Sequence, residues 1–304
     1  MSTHANRGRN ADTAPRADTA PRSIAGVLQE AARTLGACSD SPRLDAEVLL
    51  GHVLRRSRAG LVADGDRPLA RPDESAYADL IAARLGGAPV AYLTGVREFW
   101  SLPLRVSPAV LVPRPETETL VAAVLAVVPV DRDCAILDLG TGSGAIAIAL
   151  ARERPRARVT GTDLSAAALA VAVDNARLCG LPRIVWRQGA WFDAVPGERF
   201  DVIVSNPPYV AADDAALGRL KAEPLLALTP GATGLEAFAA IIARAAEYLH
   251  PSGLLGFEHG AGQAPDVAAL LARAGFAQIR LHEDQAGLPR VTLANFQSSN
   301  EDAS

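Results

Sequence analysis

Residues 134–150 read CAILDLGTGSGAIAIAL: an apolar strand, a turn punctuated by Gly140, Gly142 and Gly144, then a helix of small residues. Glycines at these positions permit a tight turn and let a ligand approach the backbone closely. Beyond this unit the chain keeps alternating. Strands are expected at 134–138, 157–162, 183–187, 200–205, 253–258, 277–283 and 290–296, and helices at 143–152, 165–178, 234–248 and 263–274. Such alternation implies an α/β fold, a mainly parallel seven-stranded sheet covered by helices on both faces. Ligands of these sheets lie at the carboxyl ends of the strands. Chemistry is therefore expected at 139–144, near 163, at 189–191 and at 206–209.

The turn alone leaves two ligands open. Gly140, Gly142 and Ala145 satisfy the GxGxxG/A pattern of dinucleotide sites, and an acidic residue, Asp163, follows at roughly the 20-residue spacing of that motif. S-adenosylmethionine fits the same loop. Asp138 separates the two. A carboxylate just before the first glycine is expected to point into the mouth of the site, where it repels a pyrophosphate and favours a ligand carrying sulfonium and ammonium charges. Asp163 is placed to accept hydrogen bonds from ribose hydroxyls.

A second stretch, RFDVIVSNPPYVA at 199–211, ends a strand in Asn206-Pro207-Pro208-Tyr209. Proline after Asn206 forces that residue into an extended conformation, so its side chain projects in a defined direction. Its carboxamide oxygen can accept one N–H of a planar NH₂ group, and the Pro207 carbonyl, kept out of strand pairing, can accept the other. Tyr209 offers a ring for contact with the planar group. The device suits methyl transfer to a conjugated, weakly nucleophilic nitrogen, where alignment supplies most of the help.

The remainder of the chain frames these sites. Of 304 residues, 49% are hydrophobic and 21% charged, an ordinary balance for a globular enzyme. A net charge of -4 and a pI near 5.8 argue against gripping nucleic acid chiefly through phosphates. Cys38, Cys134 and Cys179 form no CxxC pair or zinc spacing, so reduced thiols and no metal are expected. No apolar run matches a membrane span or a secretion signal, which makes the cytoplasm the expected compartment. Residues 1–22, with ADTAPR twice in succession, are expected to be a disordered tail, and 297–304 form a short C-terminal tail. Helical spacing of Ile24, Val27, Leu28, Ala31 and Leu35, then of Ala46, Leu49, Leu50 and Val53, then of Tyr77, Leu80, Ile81 and Leu85 marks a small helical domain over 23–90, with Asp73 or Ser75 capping its third helix. A hairpin linker is expected at 91–112 and the α/β domain at 113–296.

Asp138-Leu-Gly-Thr-Gly-Ser-Gly144 together with Asn206-Pro-Pro-Tyr209 resembles the class I methyltransferases that modify planar NH₂ groups. Further stretches, PVAYLTGVREFWSLPLRVSPAVLVPRPETETLV, GAWFDAV, AEPLLAL, GFEHG and AGFAQIRLHEDQAGLPRVTLA, resemble the HemK/PrmC-type protein-(glutamine-N5) methyltransferases from about Ser23 to Ala294. The resemblance implies a Rossmann-like enzyme that uses S-adenosyl-L-methionine to methylate the glutamine of the Gly-Gly-Gln loop in class I peptide-chain release factors, with the helical domain and hairpin holding the protein substrate. It implies that Asp138, Gly140, Thr141, Gly142, Ser143, Gly144, Asp163, Trp191 and Asn206 bind the cofactor. Asn206 and Pro207 would perform the transfer, and Asn206, Pro207, Pro208 and Tyr209 would hold the glutamine. A monomer needing no nucleic acid is expected. Ala190 and Thr233 depart from the pattern, standing where polar and acidic residues are common.

Arg114, Glu116 and Glu118 are candidates for the substrate entrance or for a capped helix start, and Glu258 with His259 reads as a hydrogen-bonded structural pair. Two other functions remain from the residues themselves: a methyltransferase of exocyclic amino groups in DNA or structured RNA, and a noncatalytic module that binds an adenine nucleotide and docks a partner.

Overall fold

Ser23 opens the first helix of the computed structural model, which describes residues 22–297. The expected tails lie outside the described residues apart from Arg22 and Gln297. The chain divides after Ala82 into two compact units. In the first, α1 (Ile24–Leu35) is capped by the Ser23 side chain, which accepts from the Gly26 N–H, and buries Ile24, Val27, Leu28, Ala31 and Leu35 on one face. Next come α2 (Pro42–Leu54), α3 (Arg58–Ala63) and α4 (Arg71–Leu85). The short α3 was not expected; Ser57 caps it and Leu61 is its single buried side chain. Helix α4 starts ahead of Asp73 and Ser75, so neither caps it, and Asp73 and Glu74 lie in its first turn. Tyr77 is buried and donates to the Ala46 carbonyl at 3.1 Å.

The second unit begins with α5 (Val90–Thr94) and a hairpin of β1 (Val96–Phe99) and β2 (Leu102–Arg105). Trp100 and Ser101 both take positive φ at its tip, 52° and 57°, the pattern of a tight right-twisting hairpin turn. A 3-10 turn, Pro115–Thr117, leads into α6 (Glu118–Val127). Then follow β3 (Ala135–Leu139), α7 (Ala145–Glu153), β4 (Arg158–Asp163), α8 (Ala166–Leu178), β5 (Val185–Gln188), β6 (Phe200–Ser205), α9 (Glu236–Tyr248), β7 (Leu249–Glu258), α10 (Ala264–Arg273), β8 (Phe276–Glu283) and β9 (Pro289–Phe296). The seven strands from β3 onward form one sheet, in the order β5-β4-β3-β6-β7-β9-β8. All neighbours pair parallel except β9, which runs against both β7 and β8.

Strand β3 lies at the centre with its side chains alternating between two cores. Ile136 packs with α6 and α7, whereas Ala135, Leu137 and Leu139 pack with α9 and Phe257. Because β3 and β6 are neighbours whose crossovers leave in opposite directions, the crevice at their carboxyl ends is the switch point of the sheet.

Asn175, fully buried on α8, ties this crevice to the hairpin. Its Oδ1 accepts from Arg105 N at 2.7 Å, and Nδ2 donates to the Arg105 carbonyl at 3.0 Å and the Ser143 carbonyl at 2.9 Å. Asn175→Leu strands three backbone groups and is expected to lower unfolding free energy by about 3 kcal/mol. Denaturant unfolding checks this, and an unchanged midpoint would contradict it.

Candidate active site

Strands β3 and β6 end in step. Leu139 and Ser205 are register partners, and the Ser205 hydroxyl donates to the Leu139 carbonyl at 2.7 Å. The turn after β3 and the Asn-Pro-Pro-Tyr segment after β6 therefore emerge side by side. Between them lies a mostly apolar cleft of about 480 Å³, whose walls include Gly140, Gly142, Asp163, Trp191, Asn206 and Leu226.

The turn residues Gly140, Gly142 and Gly144 have φ of 69°, 57° and 82°. Gly142 faces open space, since a Cβ there would meet nothing within 4 Å. Gly144 is packed, because a Cβ would come within 3.0 Å of Ile148 and Trp186. Thr141 N donates to the Thr162 carbonyl at 2.8 Å, which pins the turn to β4. At the end of β4, Asp163 accepts from Gly142 N at 2.9 Å and from Ser165 N at 2.8 Å. A carboxylate offers about four lone-pair sites, so two acceptor positions remain for ligand hydroxyls. Trp191, at φ 48°, sets its ring 3.4 Å from where a Gly140 Cβ would stand. Thr141, Ser143 and Ala190 line the same cleft. Ala190 presents only a methyl and backbone. Thr233 lies outside the cleft wall and helps start α9: its N–H donates to Glu236 and its hydroxyl accepts from Leu235 N.

Asp138 does not point into the mouth, as its place in the sequence suggested. It is fully buried beneath the turn, where Oδ2 accepts from the Thr141 hydroxyl at 2.6 Å and from Ala147 N at 3.2 Å, while Oδ1 has no partner. The cause is strand alternation: Asp138 shares the face of Ile136, under α7. Burial pushes its carboxyl up to about 7, the Thr141 and Ala147 hydrogen bonds opposing.

Across the cleft, the Asn206 amide Nδ2 donates to the Thr117 hydroxyl at 3.2 Å. Among the described residues, no donor reaches Asn206 Oδ1 or the Pro207 carbonyl. Pro208 lines the cleft; Pro207 is buried and does not. Tyr209 departs from expectation: it is absent from the cleft wall, packs against the apolar cluster of the α9 face, and donates to Glu258 Oε1 at 3.4 Å. Gln263 holds the Tyr209 carbonyl at 3.0 Å. Glu258 and His259 are both buried but are not bonded to each other. His259 turns to Thr292 and the Gly260 carbonyl. Arg114 lines the cleft and pairs with buried Glu223, which also accepts from Val112 N at 3.1 Å. Glu118 instead accepts from Trp100 N at 2.7 Å.

Residues 26–95 match the model of the PrmC N-terminal domain and 117–259 that of the methyltransferase small domain. The chain is 46% identical over 260 residues to the release factor glutamine methyltransferase of Salmonella typhimurium, covering 85% of this chain and 94% of that protein. It is 43% identical over 271 residues to that of Escherichia coli K12, covering 88% and 97%. This chain belongs to the release factor glutamine methyltransferase family. A methyltransferase structure from Pyrococcus furiosus shares the fold at 18% identity and a TM-score of 0.51, covering 73% of this chain and all of that one.

As a member of that family the chain is an S-adenosyl-L-methionine-dependent methyltransferase, and the cleft fits this cofactor. Its charged lining consists of Asp163, Glu236 and Arg114, the last already paired to Glu223. Two carboxylates with no uncommitted cation favour a sulfonium over a pyrophosphate.

Glu223, Thr117, Gln263 and Asn175 escaped the sequence reading. Thr117 lies inside PRPETE and Gln263 just beyond GFEHG, so their signal was a polar residue within a recognised segment, without a spacing rule of its own.

A carboxyl raised from 3.8 to about 7 holds its proton in the folded state across an interval where the unfolded chain has lost it. Stability from this group is thus greatest at low pH and falls as pH rises from about 4 to about 7. The wild type is expected to lose stability relative to Asp138→Asn across that interval in cofactor-free melts. A pH-independent difference would contradict the assignment.

Proposed function

We infer that this chain transfers the methyl group of S-adenosylmethionine to the side-chain amide nitrogen of the glutamine in the Gly-Gly-Gln loop of class I peptide-chain release factors. The observation that carries the reading is Asn206, which lines the cleft opposite the glycine turn with an Oδ1 that no donor reaches among the described residues, followed by a Pro207 carbonyl that likewise has no donor. Two acceptors engage both N–H bonds of a primary amide. They fix its plane and favour a geometry in which the nitrogen lone pair leaves conjugation and faces the cleft. The cofactor, when bound, supplies a methyl group on a cationic sulfur that is already a good leaving group. The protein's share is alignment: Asn206 and Pro207 hold the nitrogen, and the apolar walls exclude competing water. The nitrogen sheds its proton after gaining the methyl group, so no strong base is required beforehand.

Around the cofactor, Gly140, Thr141, Gly142, Ser143 and Gly144 supply the backbone cradle. Asp163 accepts from the ribose hydroxyls, and Trp191 covers one wall. Asp138 supports the cradle from below, and polar contact to the base near Ala190 falls to backbone groups. Pro208 contacts the glutamine, and Tyr209 buttresses the segment from behind. The helical domain over 23–90 and the hairpin within 91–112 serve as docking elements for the release factor. The enzyme works as a cytoplasmic monomer and needs no nucleic acid or membrane; among the described residues no helix is long and apolar enough to cross one.

Incubation with labelled S-adenosylmethionine, a purified release factor, an rRNA and tRNA mixture and DNA is expected to place the label on the release factor. Label on nucleic acid alone would overturn the reading in favour of an exocyclic-amine methyltransferase. Asn206→Ala is expected to reduce kcat by roughly 100-fold or more, about 3 kcal/mol of transition-state stabilisation, while cofactor affinity stays within about threefold.

A further inference from the structure

Part of the cleft wall is built by Pro224, Leu226 and Ala227, in a segment that the transfer chemistry leaves unused. Leu225 and Leu226 are 63% and 57% exposed, the two most exposed leucines among the described residues. They sit on a 3-10 turn, Leu225–Ala227, that buries none of its side chains. Neither leucine therefore serves the core. Leu226 stands on the same wall as Asn206 and Pro208, so the exposed pair is continuous with the site.

The turn is nonetheless firmly held. Just before it, buried Glu223 accepts from Val112 N at 3.1 Å and pairs with the Arg114 guanidinium. Just after it, the Leu228 carbonyl accepts from Val210 N at 2.9 Å. Within it, Ala227 N donates to the Pro224 carbonyl at 2.9 Å and Leu228 N to the Leu225 carbonyl at 3.0 Å. Val210 directly follows Tyr209, and Arg114 directly precedes the 3-10 turn that carries Thr117, the hydroxyl on which the Asn206 amide rests. The leucines thus stand on a bracket fixed to both segments that frame Asn206. Side chains held this way lose little freedom when a partner covers them.

The chemistry of the border selects the partner. The cleft is mostly apolar, and Arg114 is already paired, so among the described residues its wall offers no free cation to a phosphate. A polypeptide brings apolar side chains and backbone instead. A glutamine amide is separated from its own backbone by a short pair of methylene groups. An amide seated at Asn206 therefore draws the chain on either side of it to the border of the cleft, where the leucines are.

We propose that Leu225 and Leu226 form an apolar lip that receives the residues flanking the target glutamine, so that contact there delivers the amide to Asn206. The inference rests on the reading of a release factor as the substrate and adds the surface that takes its main chain.

The test measures kcat and KM for a purified release factor at saturating S-adenosylmethionine, in the full-length wild type, the Leu225→Ser/Leu226→Ser pair and the Leu225→Met/Leu226→Met pair. Affinity for S-adenosylhomocysteine by calorimetry and oligomeric state by sedimentation accompany it. The serine pair is expected to raise KM by about tenfold or more, with kcat and S-adenosylhomocysteine affinity within about threefold of wild type. The methionine pair keeps the apolar surface and is expected to keep the wild-type KM. An unchanged KM in the serine pair would overturn the proposal. If the wild type also self-associates and the serine pair does not, the lip belongs to a second copy of this chain. Weaker S-adenosylhomocysteine binding with an unchanged KM would likewise overturn it, in favour of a cofactor contact. Should the serine pair fail to fold, each single serine variant is read by the same criterion. A wild type that labels nucleic acid but no release factor would instead overturn the reading on which the lip depends.

Discussion

Everything at the active site depends on two adjacent parallel strands ending at the same height. The Ser205 hydroxyl closing on the Leu139 carbonyl at 2.7 Å locks β6 to β3 where the chain leaves the sheet. On one side the glycine turn follows, on the other Asn206. A one-residue slip between these strands would invert every side chain of β6 and move Asn206 away from the turn. Register is protected by the cores on both faces, since Val202 and Val204 fill one and Ile203 the other. The catalytic geometry is thus a property of the sheet.

Each wall of the cleft is backed by a buried carboxyl that does not line it. Asp138 sits under the glycine turn and Glu258 behind the Asn-Pro-Pro-Tyr segment, and burial raises both to about 7. Asp138 accepts from Thr141, which lines the cleft, and Glu258 accepts from Tyr209 behind the segment. Buried acids of this kind cost stability in their ionised form, and each carries one oxygen without a partner. In this account that cost is retained because a fixed acceptor gives direction to the hydroxyl that donates to it, Thr141 at the turn and Tyr209 behind Asn206.

Much of this was legible in the sequence. Alternating strand and helix patterns gave the sheet, and Gly140, Gly142 and Gly144 announced the turn with the positive φ they adopt. Asn206 and Pro207 could be singled out because proline chemistry ends a strand in a defined way. Orientation was harder. Asp138 looked like a cleft residue from its distance to the glycines, yet the face on which a strand-end side chain falls is set by pleat and packing. Tyr209 looked like a stacking platform; its ring turned inward because the apolar cluster under α9 and Glu258 offered it more burial than the cleft did. Thr117 and Asn175 matter through partners far along the chain, at positions 206 and 105, and no local pattern encodes such pairings.

The central claim is that Asn206 Oδ1 and the Pro207 carbonyl together receive the two hydrogens of a glutamine amide. A crystal structure of the enzyme with S-adenosylhomocysteine and a Gly-Gly-Gln peptide measures this directly. The account predicts the glutamine nitrogen at about 3 Å from both oxygens, with the Asn206 NH₂ still on Thr117. A glutamine amide bound elsewhere in the cleft, or an Asn206 whose oxygen is turned to Thr117, would contradict it.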